Sequence, residues 1–316
     1  MKLNLMKMTL PLCLCLLGLP AAWAGPLQRS QVAADATWLV HLDFDRIRQT
    51  QLGQYFLGEL EKPQAGNTFA ALRVLLDFDA RKKLAAGTLY SRGPAPEDIV
   101  LLLQGDFEIE RLVVLAQAGQ DYHSNKHRRY LVHNWVELTN PGRGGNPARN
   151  YGATHTNGTI VLGQRFGRVT DALDVLDGLQ DSLAKTNTFQ SITTAGNPAL
   201  LAAVARLADF SQVAPQAAML KALKTLNFSA TETESKLALE LSVEAESEES
   251  ARSLLTINRG LLALASMQAG QAPLAKMLQS IAITQTNATM AVTLHVPAAD
   301  LIQVMKDANS AAPRPR

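Results

Sequence analysis

Two stretches of the chain repeat one alternation of apolar and polar residues and continue into similar helical patterns. In residues 223–256, apolar side chains occupy alternate positions on both sides of a turn at 232–235, which predicts a hairpin with one buried face. A helix is predicted next, because Ser247 can cap it and apolar residues then recur at helical spacing. Residues 83–116 show the same order of strand, turn, strand and acid-led helix about 140 positions earlier.

The similarity continues downstream of both stretches. Residues 151–155 and 159–163 flank Asn157-Gly158, a dipeptide that strongly favours a hairpin turn. In the later copy, residues 281–284 and 290–296 flank Asn287. A helical pattern follows each of these hairpins, and Pro297 suits the first turn of the second helix.

Each copy also begins with a strand. Residues 37–44 lead into a predicted helix at 47–60, and residues 199–210 lead into a helical stretch ending near Leu223. The predicted fold is α+β, with two similar copies of helices packed on an antiparallel sheet. Because units of hairpin plus helix are common, chance recurrence is the alternative to duplication.

The domain boundaries follow from these patterns. The first α+β copy covers residues 25–190 and contains an insertion at 120–149, with a predicted strand at 130–136 and a loose glycine-rich loop at 140–149. The second copy covers 191–308, and its start lies in a segment bearing Thr, Gly and Pro. Residues 309–316 lack periodicity and predict a disordered tail.

Residues 1–24 have the pattern of a cleaved secretory signal peptide. Two lysines precede a short apolar run, and Ala22-Trp23-Ala24 supplies small residues for cleavage before Gly25. Lipidation at Cys13 or Cys15 is the exported alternative, but bulky apolar residues surround both. We therefore expect a periplasmic or secreted protein.

Cleavage changes the charge and the thiol content of the chain. The full chain has 30 Lys+Arg and 28 Asp+Glu; loss of Lys2 and Lys7 leaves 28 of each, so bulk charge argues against nucleic-acid binding. Both cysteines also leave, which excludes disulfides and thiol catalysis from residues 25–316. After cleavage, no apolar stretch is long enough to predict a membrane span.

The most specific local pattern is His41-Leu42-Asp43-Phe44-Asp45. On a strand, His41, Asp43 and Asp45 share one face, and such a set could bind a divalent ion or form a base with its orienting acid. The alternative interpretation is a solvated polar face, with Asp43 or Asp45 capping the next helix.

Five of the six histidines lie in the first copy, as a metal site would require. The candidate metal ligands are His41, Asp43, His123 and His127. The basic run at 126–129 could contact an anionic partner, or it could be a solvated hairpin edge whose charges prevent pairing with other chains.

No catalytic motif is present. The chain lacks a Gly-x-Ser-x-Gly elbow, a dinucleotide fingerprint and a phosphate loop, so no catalytic residue and no cofactor are predicted. Residues 34–43 and 173–178 resemble a group of uncharacterised exported bacterial proteins that share a domain of unknown function. The resemblance covers mainly the first copy and implies export and an α+β fold.

Three functional hypotheses follow. The first is a non-enzymatic binding or interaction protein of the bacterial periplasm or exterior, whose partner is an unknown protein or envelope component. The second is a metal-dependent hydrolase centred on His41 and Asp43. The third is a periplasmic carrier of a lipid or other apolar ligand, suggested by the long apolar helix predicted at residues 250–267.

Overall fold

One continuous antiparallel sheet organises the structure, a computed structural model that describes residues 25–59, 79–141, 147–192, 199–210, 222–268 and 272–311. The strands of this sheet are β1 (Trp38–Asp43), β2 (Leu84–Ser91), β3 (Ile99–Gly105), β4 (Gln120–His127), β5 (Tyr130–Pro141), β6 (Pro147–Thr154), β7 (Ile160–Gly163), β8 (Leu201–Arg206), β9 (Leu223–Thr233), β10 (Lys236–Ala245), β11 (Ile281–Thr286) and β12 (Thr289–Pro297).

The α-helices connect these strands. They are α1 (Phe44–Gln49), α2 (Gln51–Glu59), α3 (Ala80–Lys83), α4 (Ile109–Gln117), α5 (Phe166–Leu176), α6 (Glu248–Gln268), α7 (Ala272–Gln279) and α8 (Ala298–Ala311). Helix α6 begins as the sequence predicts, because the Ser247 hydroxyl accepts a hydrogen bond from the Ser250 amide at 3.1 Å. In the part of the chain that the structure describes, no helix is both long and apolar enough to cross a membrane.

The strand order is β11-β12-β10-β9-β8-β1-β2-β3-β7-β6-β5-β4. Strands β1 and β8 pair in the middle, with Leu39 opposite Val204. Outward from β1 lie the hairpin β2-β3, then β7 and β6; outward from β8 lie the hairpin β9-β10, then β12 and β11. Both predicted copies thus contribute to a single sheet, and β5 and β4 extend its first half.

The α+β class predicted from the sequence is confirmed, and four local predictions need correction. The helix predicted at 47–60 is divided at Thr50 into α1 and α2. Leu223 begins β9 instead of ending a helix. The predicted loop at 140–149 is shorter, because Pro141 and Pro147 pair across β5 and β6. Helix α8 extends into the first three residues of the predicted tail.

Several predictions lie wholly or partly outside the described residues. These are the signal peptide at 1–24, the helical stretch within 211–221, most of the boundary segment at 193–198, the centre of the glycine-rich loop at 142–146 and the tail at 312–316.

Separate apolar clusters hold the helices on the sheet. The largest joins Leu102 and Val161 of the sheet to Leu173 of α5 and to Val32 near the start of the described chain. A second cluster packs Leu52 of α2 against residues of β10 and β12. A helix from the first half of the chain therefore covers part of the sheet formed by the second half.

Candidate functional site

His41 and Asp43 lie on the same face of the central strand β1, as predicted, but that face is buried. Each residue is only 2% exposed. The solvated interpretation of this face is wrong, because Val32, Ala33 and Ala36 pack in the core cluster that includes Leu39 of the same face. Asp45 is not on the strand; it lies in α1 and pairs with Arg48.

Both ring nitrogens of His41 are engaged in hydrogen bonds. Nε2 lies 2.6 Å from the Gly25 carbonyl oxygen, and Nδ1 lies 2.8 Å from Thr88 Oγ1. Because a carbonyl oxygen only accepts, Nε2 carries the proton, and Nδ1 of the neutral ring accepts from the Thr88 hydroxyl. Burial lowers the pKa of His41, which favours this neutral state.

Asp43 caps the helix that follows β1. Its Oδ1 accepts a hydrogen bond from the Arg46 amide at 2.9 Å, so the capping interpretation is correct. Burial raises the pKa of Asp43, although the Arg46 amide opposes that change. The carboxylate is thus partly stabilised by a backbone dipole.

The other two candidate ligands lie far from this pair. Strand β4 is six places from β1 in the sheet, which at about 4.8 Å per strand is about 29 Å along the sheet. His123 bonds to Asp121, and His127 bonds to Asp174. Among the described residues, no group of three or more His, Cys, Asp or Glu is placed to hold a metal ion.

The basic run at 126–129 is paired inside the molecule. Asp174 in α5 accepts hydrogen bonds from His127 Nε2 at 3.0 Å and Arg128 Nε at 2.9 Å. Asp177, just after α5, pairs with Arg129. Much of the positive charge that suggested an anionic partner is therefore paired with the two carboxylates at the C-terminal end of α5. The helix dipole also favours cations at that end.

Asp177 is the centre of the buried part of this contact. It accepts a hydrogen bond from the Tyr130 hydroxyl at 2.8 Å and one from His155 Nε2 at 2.9 Å. The Tyr130 and His155 rings stack with their centroids 5.4 Å apart. We call Asp174 and Asp177 with their partners the α5 carboxylate cluster; the partners are His127, Arg128, Arg129, Tyr130 and His155.

A glycine ends the helix that carries these acids. Gly178 has φ +72°, and the Leu179 amide bonds to the Asp174 carbonyl at 2.8 Å, the pattern of a left-handed helix cap. Residues 173–178 therefore fix the end of α5 and carry its two carboxylates.

An apolar cavity of about 360 Å³ lies between α4 and the sheet. No residue of α4 is fully buried, so the helix covers the sheet without sealing it. The lining comes from α4, from the segment just before it, and from strands β3, β5, β6 and β7. These residues are Leu103, Phe107, Leu112, Val113, Leu115, Ala116, His133, Trp135, Gly152, Ala153, Thr154, Ile160 and Leu162.

A glycine shapes one wall of this cavity. A Cβ atom at Gly152 would lie 2.9 Å from Leu162 Cδ2, so the Leu162 side chain would have to shift, whereas its distance of 3.4 Å from the Trp135 ring is an ordinary contact. The absence of a side chain at Gly152 therefore lets Leu162 pack close against β6. The helical spacing of apolar residues predicts the inward positions of α4, but not the space left beneath the helix.

The polar groups of the cavity are few. His133 belongs to the lining, and its Nδ1 lies 2.8 Å from the Tyr122 hydroxyl oxygen. Burial lowers the pKa of His133, so its ring is neutral at pH 7. The cavity is an apolar space with an uncharged hydrogen-bonding group in its wall.

Two other surfaces differ from this cavity. The end of α6 exposes Leu261 and Leu264 by 58% and 57% and Met267 by 84%. On the second half of the sheet, a cleft of about 390 Å³ combines polar residues such as Glu240 and His295 with apolar residues such as Phe228. Among these three, only the α4 cavity lies beneath a helix and is lined mainly by apolar side chains.

These features define an α+β protein with one large antiparallel sheet and an apolar cavity under a helix. No protein-family model and no curated protein matches the chain. Crystal form I of TP0453 has a similar fold, with a TM-score of 0.50 and 10% identity over 90% of this chain and 98% of that chain. Crystal form III gives a TM-score of 0.47, with 10% identity over 89% of this chain and 98% of that chain.

Proposed function

We propose that this protein is an exported, non-enzymatic binding protein of the bacterial periplasm or exterior, and that it carries a lipid or other apolar ligand between α4 and the sheet. The observation that carries this proposal is the apolar cavity of about 360 Å³. Ligand sites of proteins are typically concave, mostly apolar and about 300–1,000 Å³ in volume.

The construction of α4 supports ligand entry. The helix has nine residues, none fully buried, so it loses little packing when it moves away from the sheet. The opposing wall is held by the strand pairs β3-β7, β7-β6 and β6-β5. A mobile helix over a rigid sheet would allow a ligand to enter while the rest of the fold stays unchanged.

The polar groups restrict the type of ligand. His133 is neutral, and the other hydrogen-bonding side chains in the lining, Thr154 and Trp135, are uncharged. Because the lining contains no Lys, Arg, Asp or Glu, burial of an ionised ligand group there would cost several kcal/mol. The buried part of the ligand is therefore uncharged.

Filling the cavity tests the proposal. Ala116→Trp places an indole in the lining, whereas Val114→Trp adds the same group at a position 61% exposed on the same helix and outside the lining. Titration with the uncharged dye N-phenyl-1-naphthylamine should give saturable binding to the wild type. We expect Ala116→Trp to raise the Kd at least about tenfold, a loss of about 1.4 kcal/mol, and Val114→Trp to leave it nearly unchanged.

Absence of saturable dye binding to the wild type would contradict the proposal, as would equal Kd values for the two variants. Thermal unfolding of both variants serves as the control for folding. Mass spectrometry of solvent extracts from the protein purified from the periplasm should then identify an apolar compound that Ala116→Trp excludes.

The exposed face of α6 is the proposed contact with a donor or acceptor of the ligand. Leu261, Leu264 and Met267 present apolar surface there, and the sequence has no charged residue from Gly260 to Ala275. Such a surface, bounded by Arg259 and Lys276, suits an apolar envelope component better than an acidic protein surface.

Polar substitution on this face should separate transfer from binding. In Leu261→Gln/Leu264→Gln, we expect an unchanged Kd for the dye and severalfold slower transfer of bound dye to vesicles of phosphatidylethanolamine and phosphatidylglycerol. Ser253→Gln, at an exposed position earlier on α6, is the matched control. An unchanged transfer rate in the double variant would assign the contact to another surface.

We also infer that the two copies arose by duplication. The support is the strand order, which has the same arrangement on both sides of the β1-β8 pair. On one side, β1 is followed by β2 and β3 and then by β7 and β6; on the other, β8 is followed by β9 and β10 and then by β12 and β11. In each case the strand of the second hairpin that comes later in the chain lies nearer the centre. The insertion at 120–149 supplies β4, β5 and the start of β6. The insertion thereby provides Trp135 and His133 of the cavity lining. The predicted second copy has no corresponding insertion.

A further inference from the structure

Gly25 is held in a buried polar site next to the central strand. Its carbonyl oxygen accepts the hydrogen bond from His41 Nε2 at 2.6 Å, and the residue itself is buried. The Asp43 carboxylate lies so close that a Cβ atom on Gly25 would be 2.1 Å from Oδ1. Only glycine fits this position without movement of its neighbours.

The same contact places the Gly25 nitrogen close to the carboxylate. Nitrogen and the missing Cβ are both bonded to the same Cα, so simple bond geometry puts the nitrogen within about 5 Å of Asp43 Oδ1. In the uncut chain this nitrogen is an uncharged peptide group. A terminal amine at the same place would be an ammonium ion.

Asp43 lacks a strong cationic partner among the described residues. Its carboxylate is bonded to the Arg46 backbone amide, and none of the ion pairs found in the described part of the chain includes it. A buried carboxylate is costly unless it is paired. Accordingly, burial raises the pKa of Asp43.

We propose that the His41-Asp43 site binds the new N-terminus of the cleaved protein, with the Gly25 ammonium paired to the Asp43 carboxylate. This proposal rests on the predicted cleavage before Gly25 and is independent of ligand binding. Signal peptidase would hydrolyse the Ala24-Gly25 peptide bond with one water molecule, giving the Ala24 carboxylate and the Gly25 ammonium. His41 then orients the terminus through the Gly25 carbonyl.

The site couples cleavage to the stability of the whole sheet. Asp43 also donates its backbone N–H to the Leu200 carbonyl at 3.0 Å, at the junction of the two halves. The uncut precursor would have the unpaired carboxylate and the lower stability, which suits a chain that must cross a membrane before folding. The cleaved protein would gain the ion pair at the centre of the fold.

The test compares two proteins that differ only in the terminal charge. Residues 25–316 are prepared with a free Gly25 amine and with an N-acetylated Gly25, and thermal unfolding is measured for both. At pH 7 we expect the free amine to raise the melting temperature by at least about 3 °C. In Asp43→Asn, which keeps a residue able to cap α1, the difference should disappear.

The pH dependence provides a second readout. The ion pair raises the pKa of the ammonium above about 7.7–8.0, its unfolded value. The extra stability of the protein with a free Gly25 amine is therefore complete below that pH. It is lost as the pH rises through the pKa of the amine in the folded protein. It is also lost in acid when Asp43 is protonated.

Measurement of the Gly25 amine pKa by NMR in the wild type does not depend on any variant. A value at or below that of a free peptide amine would overturn the proposal, as would equal melting temperatures of the free and acetylated proteins. Sequencing of the exported protein provides the remaining test, since a terminus other than Gly25 would remove its basis.

Discussion

Alanine in place of Asp177 is expected to lower the free energy of unfolding by about 2–5 kcal/mol. The side chain is 10% exposed and accepts hydrogen bonds from Tyr130 and His155, which are 4% and 7% exposed. Without Asp177, both buried donors lose their acceptor, and each such loss costs about 1–3 kcal/mol. The exposed Arg129 contributes little to this total.

Urea denaturation of Asp177→Ala measures the effect, and Asp181→Ala is its matched control. Asp181 is 72% exposed, and among the described residues its carboxylate pairs with Lys185, four positions along the chain, so its removal should change stability by less than about 0.5 kcal/mol. Equal losses in the two variants would show that the α5 carboxylate cluster does not stabilise the fold.

The pH profile gives the same cluster a distinctive signature. Burial alone would raise the pKa of Asp177, but hydrogen bonds from Tyr130, His155 and Arg129 lower it overall. The contribution of Asp177 to the free energy of unfolding is therefore fully present above its pKa in the unfolded chain, about 3.9. It is lost as the pH falls through the lower pKa of Asp177 in the folded protein. Asp177→Asn should lose less stability than the wild type over that acid range.

The hairpins were predictable because their signals are local. Alternation at residues 226–243 specifies both strands and their shared face, and Asn157-Gly158 specifies a turn. Strand β4 carries no such signal. Its sequence is wholly polar except for Tyr122, since an edge strand bonds to one neighbour and has no need of an apolar face.

The environment of His41 and Asp43 was not predictable from alternation. A period of two tells which residues share a face, but not which segment of the chain covers that face. Here the cover includes Val32 and Ala36, which precede the strand and carry no periodic signal of their own. His41 and Asp43, a polar pair that looks solvated in the sequence, are therefore on a face that N-terminal residues of the same chain help to bury.

The role of the basic run was hidden by sequence separation. Arg129 and Asp177 are 48 positions apart, so neither the charge run nor the helix pattern alone reveals that they meet. The cavity was hidden for a different reason. Helical spacing puts Leu112, Leu115 and Ala116 on one face of α4, and they do line the cavity, but periodicity does not report how well facing side chains fill the space between them.

Neither copy is expected to fold when it is made alone. Separation would expose β1 and β8 as bare edges and would uncover Leu39 and Val204, which are 0% and 2% exposed in the whole chain. It would also remove Glu232 of β9 from the amides of Gln51 and Leu52, which it binds at 2.8 and 3.0 Å at the start of α2.

Circular dichroism and NMR of residues 25–192 and 199–311, expressed separately, should show largely unfolded chains, and mixing them should restore the native spectrum. The control is the whole chain with a protease site inserted within 193–198 and cut after folding; its fragments should remain associated. A dispersed NMR spectrum from either isolated half would contradict this expectation. Because α2 packs Leu52 against Leu237 and Val296 of the second half of the chain, we expect the two halves to depend on each other through side chains as well as through the sheet.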